Sequence, residues 1–249
     1  MSKQTDLINV TDAITVSGSN VGINTSSPNS YYAKKLVVDC GTDGQNGITI
    51  KSSTTGAGMF AFADGTSGSD RYRGYINYNH ANDSMTLGTA GGAGVLTIDA
   101  TGAVTMPHQP AFLAVSAVRQ SNIPVGGSAL TTVVFGNEKF DQNADFSPST
   151  FTAPVTGKYQ FNVHVRLENV DISAAYYQLH IRSSNEIVAV DIISPKFTAD
   201  LTYFVMQGSI LLDMDASDTA YVTIFQSGGA AQTDIDAGND TAFSGYLVA

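Results

Sequence analysis

From Tyr159 onward the chain alternates without a break between apolar and polar side chains. Tyr159, Phe161, Val163, Val165 and Leu167 take one parity; Gln160, Asn162, His164 and Arg166 take the other. Successive side chains on a strand leave opposite faces, so a period of two makes this run a half-buried β-strand. Gly157 sits in the turn that opens it, and Pro154 ends the strand before it, since proline brings no N–H to a ladder. Further strands are expected at Ala111–Val118, Thr131–Phe135, Gly157–Leu167, Ala175–Arg182, Glu186–Ile193, Thr202–Leu212, Ala220–Gln226 and Ala242–Val248. Many strands split by turn residues point to a β-sandwich.

The segment Phe151-Thr-Ala-Pro-Val-Thr-Gly157-Lys-Tyr159-Gln-Phe161 and the closing Phe243-Ser-Gly245-Tyr246-Leu247 resemble the globular head of the complement-one-q and tumour-necrosis-factor superfamily. Two positions depart from its pattern: Val163 replaces the last aromatic, and the Asn/Asp ahead of Phe151 is out of register. The resemblance covers Pro110–Ala249. It implies a TNF-like ten-strand jelly roll that assembles as a homotrimer.

Composition agrees with β structure. Only 14% of the residues are charged and 24 are glycine, against about 25% charged in an ordinary domain. No 15-residue window carries a helical stripe. The net charge of −10 and the absence of a basic run speak against nucleic acid as a partner. No apolar run approaches the ~18 residues that cross a bilayer. The start, Met1-Ser-Lys-Gln-Thr-Asp6, reads as free of a signal peptide, so synthesis and folding in a cytoplasm are expected. Cys40 is the only cysteine, which rules out an intrachain disulfide; it reads as a small residue packed at a strand end, or else as a reactive thiol.

Met106-Pro-His-Gln-Pro110 divides the chain, because two prolines in so short a stretch suit a stiff connector. The expected organisation is an attachment arm at 1–12, a β-rich fibre or stalk module at 13–106, a linker at 107–110 and a jelly-roll knob at 111–249. In the stalk, Ala13–Ile23 can be laid over Leu96–Met106, each a strand, a Gly-containing turn and a strand. Between them Lys35–Val38, Gly47–Lys51, Met59–Ala63, Arg73–Tyr78 and Ser84–Leu87 read as short strands. One copy of such a module buries too little to stand alone. Val21-Gly-Ile-Asn24-Thr-Ser-Ser-Pro28 is similar to the Val-Gly-Ile-Gly-Thr-x-x-Pro phrase of bacteriophage fibre proteins, and Leu96-Thr-Ile-Asp-Ala-Thr-Gly102-Ala-Val resembles the phrase that closes that module. Asn24 stands where the phrase commonly has glycine.

The strands Glu186–Ile193 and Thr202–Leu212 are apolar at both parities: Ile187, Val188, Val190, Ile192 and Ile193, then Phe204, Val205, Met206, Ile210, Leu211 and Leu212. Strands that are apolar on both faces need cover on both, and a chain without helices finds that cover in its own copies. The expected trimer interface uses Tyr159, Phe161, Phe204, Met206, Phe243 and Tyr246; the expected attachment arm uses Gln4, Leu7, Ile8 and Val10, which add a strand or clamp to a capsid surface.

No catalytic constellation emerges. His80, His108, His164 and His180 lack zinc-ligand spacing, and Gly88–Gly94 lacks the Lys-Ser/Thr of a phosphate loop. The aspartate loops suit calcium, at Asp234, Asp236 and Asp240, or are simply solvated turns; calcium is the one cofactor in view. Tyr72, Tyr75 and Tyr78 suit packing along a strand face or carbohydrate stacking. The combined reading is a structural, non-enzymatic protein of a bacteriophage virion surface, made in the host cytoplasm. It is a trimeric head fibre or capsid decoration protein whose partners are its own copies and capsid proteins. The alternative is a tail fibre that recognises a host-surface glycan or protein. A polysaccharide depolymerase is the remaining class, and it would need a carboxylate pair in a groove.

Overall fold

The computed structural model describes residues 13–42, 44–92, 94–127 and 130–249. The chain divides into two units: one runs to Gly94 and includes Ile98–Ala103, the other comprises Val95–Thr97 and Val104–Ala249. The expected arm residues Gln4, Leu7, Ile8 and Val10 lie outside the described residues.

In the first unit, β1 (Ile14–Ser17) and β2 (Asn20–Ile23) form a two-residue hairpin with Ser17 opposite Asn20. Gly18 takes φ +64° at its first central position, the backbone that keeps strand twist continuous. β2 then runs parallel to β3 (Leu36–Val38). Asn24 adopts the left-handed backbone, φ 57°, that glycine adopts without cost. Its N–H donates to Ala13 O at 2.8 Å and its side-chain amide to Asp39 O at 3.1 Å, so local bonds offset the strain.

β4 (Ala57–Phe62), β5 (Gly74–Asn79) and β6 (Ser84–Gly88) make an antiparallel meander. Register aligns Phe60, Ile76 and Leu87 across it, with Tyr78 beside Met85. Most of that face stays uncovered: Phe60, Phe62, Ile76, Met85 and Leu87 are all exposed. Among the described residues of this unit, Val37 and Pro28 are the only buried aliphatic or aromatic side chains. The strand expected at Gly47–Lys51 forms no ladder; Ile48 and Ile50 lie instead along the same apolar face. Cys40 is exposed beyond β3, not packed. Tyr72 ends a short 3-10 turn and meets Tyr75 edge-on at 6.4 Å. β7 (Gly94–Ile98) and β8 (Val104–Thr105) follow, most of their residues belonging to the second unit.

The second unit holds β9 (Ala111–Ser116), β10 (Leu130–Thr132), β11 (Asn137–Asp141), β12 (Thr150–Thr152), β13 (Gly157–Val170), β14 (Tyr176–Ser183), β15 (Ile187–Ile193), β16 (Leu201–Met214), β17 (Thr219–Ser227), β18 (Asp234–Ile235) and β19 (Gly238–Leu247). One antiparallel sheet has the order β11-β9-β19-β13-β16, with β18 on β13; the other has the order β10-β17-β14-β15, with β12 on β17. The two pack face to face as a jelly roll. Tyr159, Phe161, Val163, Val165 and Leu167 of β13 point inward as the alternation requires, against Tyr177, Leu179 and Ile181 of β14 and Val222 and Ile224 of β17.

Aromatic rings crowd the middle of this core. Phe243 lies 5.2 Å from Phe112, 5.6 Å from Phe135, 6.1 Å from Phe146 and 5.6 Å from Phe161. Gly245, two residues on, lets Phe161 and Phe112 close over the backbone; a Cβ there would sit 2.6 Å from Phe161 Cδ1 and 2.8 Å from Phe112 Cε1. Both rings are locked by neighbours, so Gly245→Ala is expected to lose about 1–3 kcal/mol by overpacking. Urea unfolding of the variant checks this, and an unchanged midpoint would show that the rings have room to shift.

The core overturns most of the expected trimer interface. Tyr159, Phe161, Met206 and Phe243 are fully buried within one chain, because the second sheet of the same molecule covers that parity. Phe204 also leans inward, half-buried against the core beside Phe197. Of the named set, only Tyr246 points out, at 48% exposure.

Candidate functional site

Among the described residues of this unit, nothing covers the opposite face of β9, β19, β13 and β16. β13 presents Gln160, Asn162, His164 and Arg166 there. β16 runs alongside with Tyr203, Val205, Gln207, Ser209 and Leu211, since Met206, Leu212 and Met214 take the inward parity. Tyr203, Val205, Leu211 and Tyr246 are 45–56% exposed, which is unusual for large apolar side chains on a regular sheet. Between them lies a depression of about 500 Å³ lined by Leu113, Asn162, His164, Gln207 and Ser244. Gly208 lets β16 approach Val190 of β15; a Cβ there would lie 2.5 Å from Val190 Cβ. Arg166 apart, the face is a shallow platform of neutral polar and apolar groups.

One end of the platform is charged. Arg166 holds Asp236 and Asp240 while its guanidinium lies 4.9 Å from the Tyr203 ring centre. Arg119 bridges Glu168, at 2.7 Å, and Asp234. Asp234 is buried and also accepts the Asn122 N–H at 2.6 Å and the Asn169 amide at 3.0 Å. Asp234, Asp236 and Asp240 thus do not form one oxygen cage: two arginines and two asparagines take their lone pairs. Among the described residues no group of three or more His, Cys, Asp or Glu side chains is placed to hold a metal ion. The expected calcium site is corrected accordingly. Sequence reading missed Arg119 because its partners Glu168 and Asp234 are remote in the chain.

Burial pushes the Asp234 carboxyl up, but the bonds from Arg119, Asn122 and Asn169 together outweigh it and hold the group below the usual carboxylate range. A folded-state pKa below the unfolded one gives stability that is present above about pH 4 and lost as pH falls through the depressed value. Asp234→Asn is therefore expected to lose about 1–3 kcal/mol at pH 7, with the gap to wild type closing towards pH 2. Thermal unfolding of both chains across that range measures it; a gap that stays constant with pH would refute the assignment.

The other expected residues scatter. His164 Nε2 lies 3.0 Å from Asn239 O on the platform. His180 belongs to the other sheet, where burial, and then Arg182, hold its imidazole below the ordinary value. Val188, Val190 and Ile193 pack on the core, whereas Ile187 and Ile192 stay exposed.

Two antiparallel sheets with first and last strands adjacent at the centre define a jelly roll of the C1q and TNF-like class. The C1q domain model matches residues 112–248, more than half of the chain, and the protein belongs to the C1q domain family. Among solved structures, the globular domain of zebrafish complement 1qA protein is similar at 20% identity and TM-score 0.42, covering 57% of this chain and 98% of that one. The crystal structure of murine APRIL at pH 8.5 is similar at 11% identity and TM-score 0.41, covering 56% of this chain and 99% of that one. No curated protein matches the chain.

Proposed function

We propose that this protein is a homotrimeric fibre-and-knob protein of a bacteriophage virion surface, the C1q unit being the knob, and that it stands on the capsid as a head fibre or decoration protein. The observation that carries the assembly is the uncovered apolar platform of Tyr203, Val205, Leu211 and Tyr246. The first unit repeats the problem with Phe60, Phe62, Ile76, Met85 and Leu87, and has almost no core of its own. Such faces are costly in water and are present on every copy at equal number, so another copy is their natural cover. The number three comes from the resemblance to the superfamily, and the virion setting from the phrases at Val21–Pro28 and Leu96–Val104.

The mass of the purified chain in native solution tests the assembly, with three times 26.1 kDa expected. A single-chain species at micromolar concentration would end the proposal. Immunogold labelling of intact virions tests the placement; label on the head is expected, and label confined to the tail would move the protein to a receptor-binding role.

A further inference from the structure

The outer face of the other sheet carries a second, different surface. Register sets it out in rows across β10, β17, β14 and β15. Leu130, Phe225, Gln178 and Ile192 form one row; Thr132, Thr223, His180 and Ala189 the next; Tyr221, Arg182 and Ile187 the third. A groove of about 310 Å³ runs along these rows, lined by Leu130, Phe225, Gln178, His180, Arg182 and Ile187. That volume lies at the small end of ligand sites.

Two observations mark the groove as more than surface. Arg73, Arg119 and Arg166 each hold a carboxylate, but among the described residues none lies within ion-pair distance of Arg182. Acidic groups outnumber basic ones 22 to 12 in this chain, yet Arg182 holds none of them; Arg71 is the other described arginine without a carboxylate, and it lies in the first unit with its Nε donating to Gly68 O. Its guanidinium is steadied 5.9 Å from the Tyr221 ring centre. Second, Thr223 Oγ1 is enclosed beneath the middle row without a hydrogen-bond partner, and the half-buried His180 ring, set against the Thr223 backbone carbonyl, lines the groove above it. A polar middle row suits a ligand rich in hydroxyls.

We infer that this groove binds an acidic saccharide, with one sugar ring over Phe225, hydroxyls on Gln178 and His180, and the carboxylate of the next ring on Arg182. Gln178 and Arg182 are four residues apart on one strand, about 13 Å, a span that fits two linked rings. The half-buried Phe225 ring, flanked by Tyr176 at 5.9 Å, offers an apolar face to the sugar's C–H side. One guanidinium matches the single charge of a carboxylate and can donate to both of its oxygens. The inference stands apart from the assembly proposed above, which uses the opposite sheet.

A glycan array probed with the full chain tests it, carrying uronate- and sialate-containing, sulfated and neutral glycans. Expected is signal confined to the carboxylated glycans, reduced at least tenfold by Arg182→Gln and less strongly by Gln178→Ala. Both side chains lie on the surface, and the native mass of each variant should match wild type, so loss of binding is separable from loss of assembly. Equal signal on neutral glycans, equal or stronger signal on sulfated ones, no signal at all, or full binding by Arg182→Gln would each overturn the inference. So would competition by polyglutamate as strong as that by free uronate oligosaccharide.

Discussion

Phe243→Ala is expected to lower the stability of the C1q unit by about 3–5 kcal/mol, a fall in thermal midpoint of roughly 10 °C for a domain of this size. The ring is fully buried and meets four other aromatic rings, which neighbours on two sheets hold in place. Little can collapse into the gap, because two of those rings, Phe112 and Phe161, are themselves pinned by Phe151, which Tyr159 backs in turn. The same variant separates two roles for this residue. A core residue costs stability at every protein concentration, whereas an interface residue weakens assembly and leaves the isolated fold intact. Chemical denaturation at two concentrations tells them apart, and a purely concentration-dependent loss would return Phe243 to the interface.

Val205→Asp combined with Leu211→Asp is expected to do the reverse. Both side chains are about half exposed in the single chain, so the fold should keep its midpoint within about 0.5 kcal/mol. In an assembly closed over the β16 face, each contact would instead bury unpaired carboxylates at roughly 3–5 kcal/mol, more than a hundredfold in affinity. The measured mass should therefore drop to that of one chain while circular dichroism is unchanged. An oligomer that survives both substitutions would place the contact elsewhere on the molecule.

The sequence resolved parity better than partnership. Alternation located β13 and its two faces, and the structure extends it to Val170 because pairing with Leu201 of β16 continues. Alternation does not say what lies over each face. The inward set Tyr159, Phe161 and Phe243 reads as an interface until the second sheet is seen above it. β11, Asn-Glu-Lys-Phe-Asp, gave no apolar signal; its ladder to β9 and a bulge between Glu138 and Phe140 hold it at the sheet edge. β10 stops at Thr132, where an apolar run predicts Phe135, because side chains take over the backbone donors. Gln120 Oε1 accepts the Val134 N–H and Ser149 Oγ the Phe135 N–H, each at 2.8 Å. The arginine–aspartate cluster was illegible for a different reason: no local spacing encodes Arg119 meeting Asp234.

The central position of β19 governs the order in which the knob can be made. β9 emerges first from the ribosome, yet its inner neighbour β19 arrives only after every other strand, more than a hundred residues later. Until then the widest layer has a missing middle, and Phe112 and Phe161 have no Phe243 to close against. Folding must wait for nearly the whole segment, it is slowed by such distant pairing, and the waiting chain shows sticky surface to its neighbours. A message cut short by even one strand would yield material fit only for chaperones and proteases, so quality control is written into the connectivity itself.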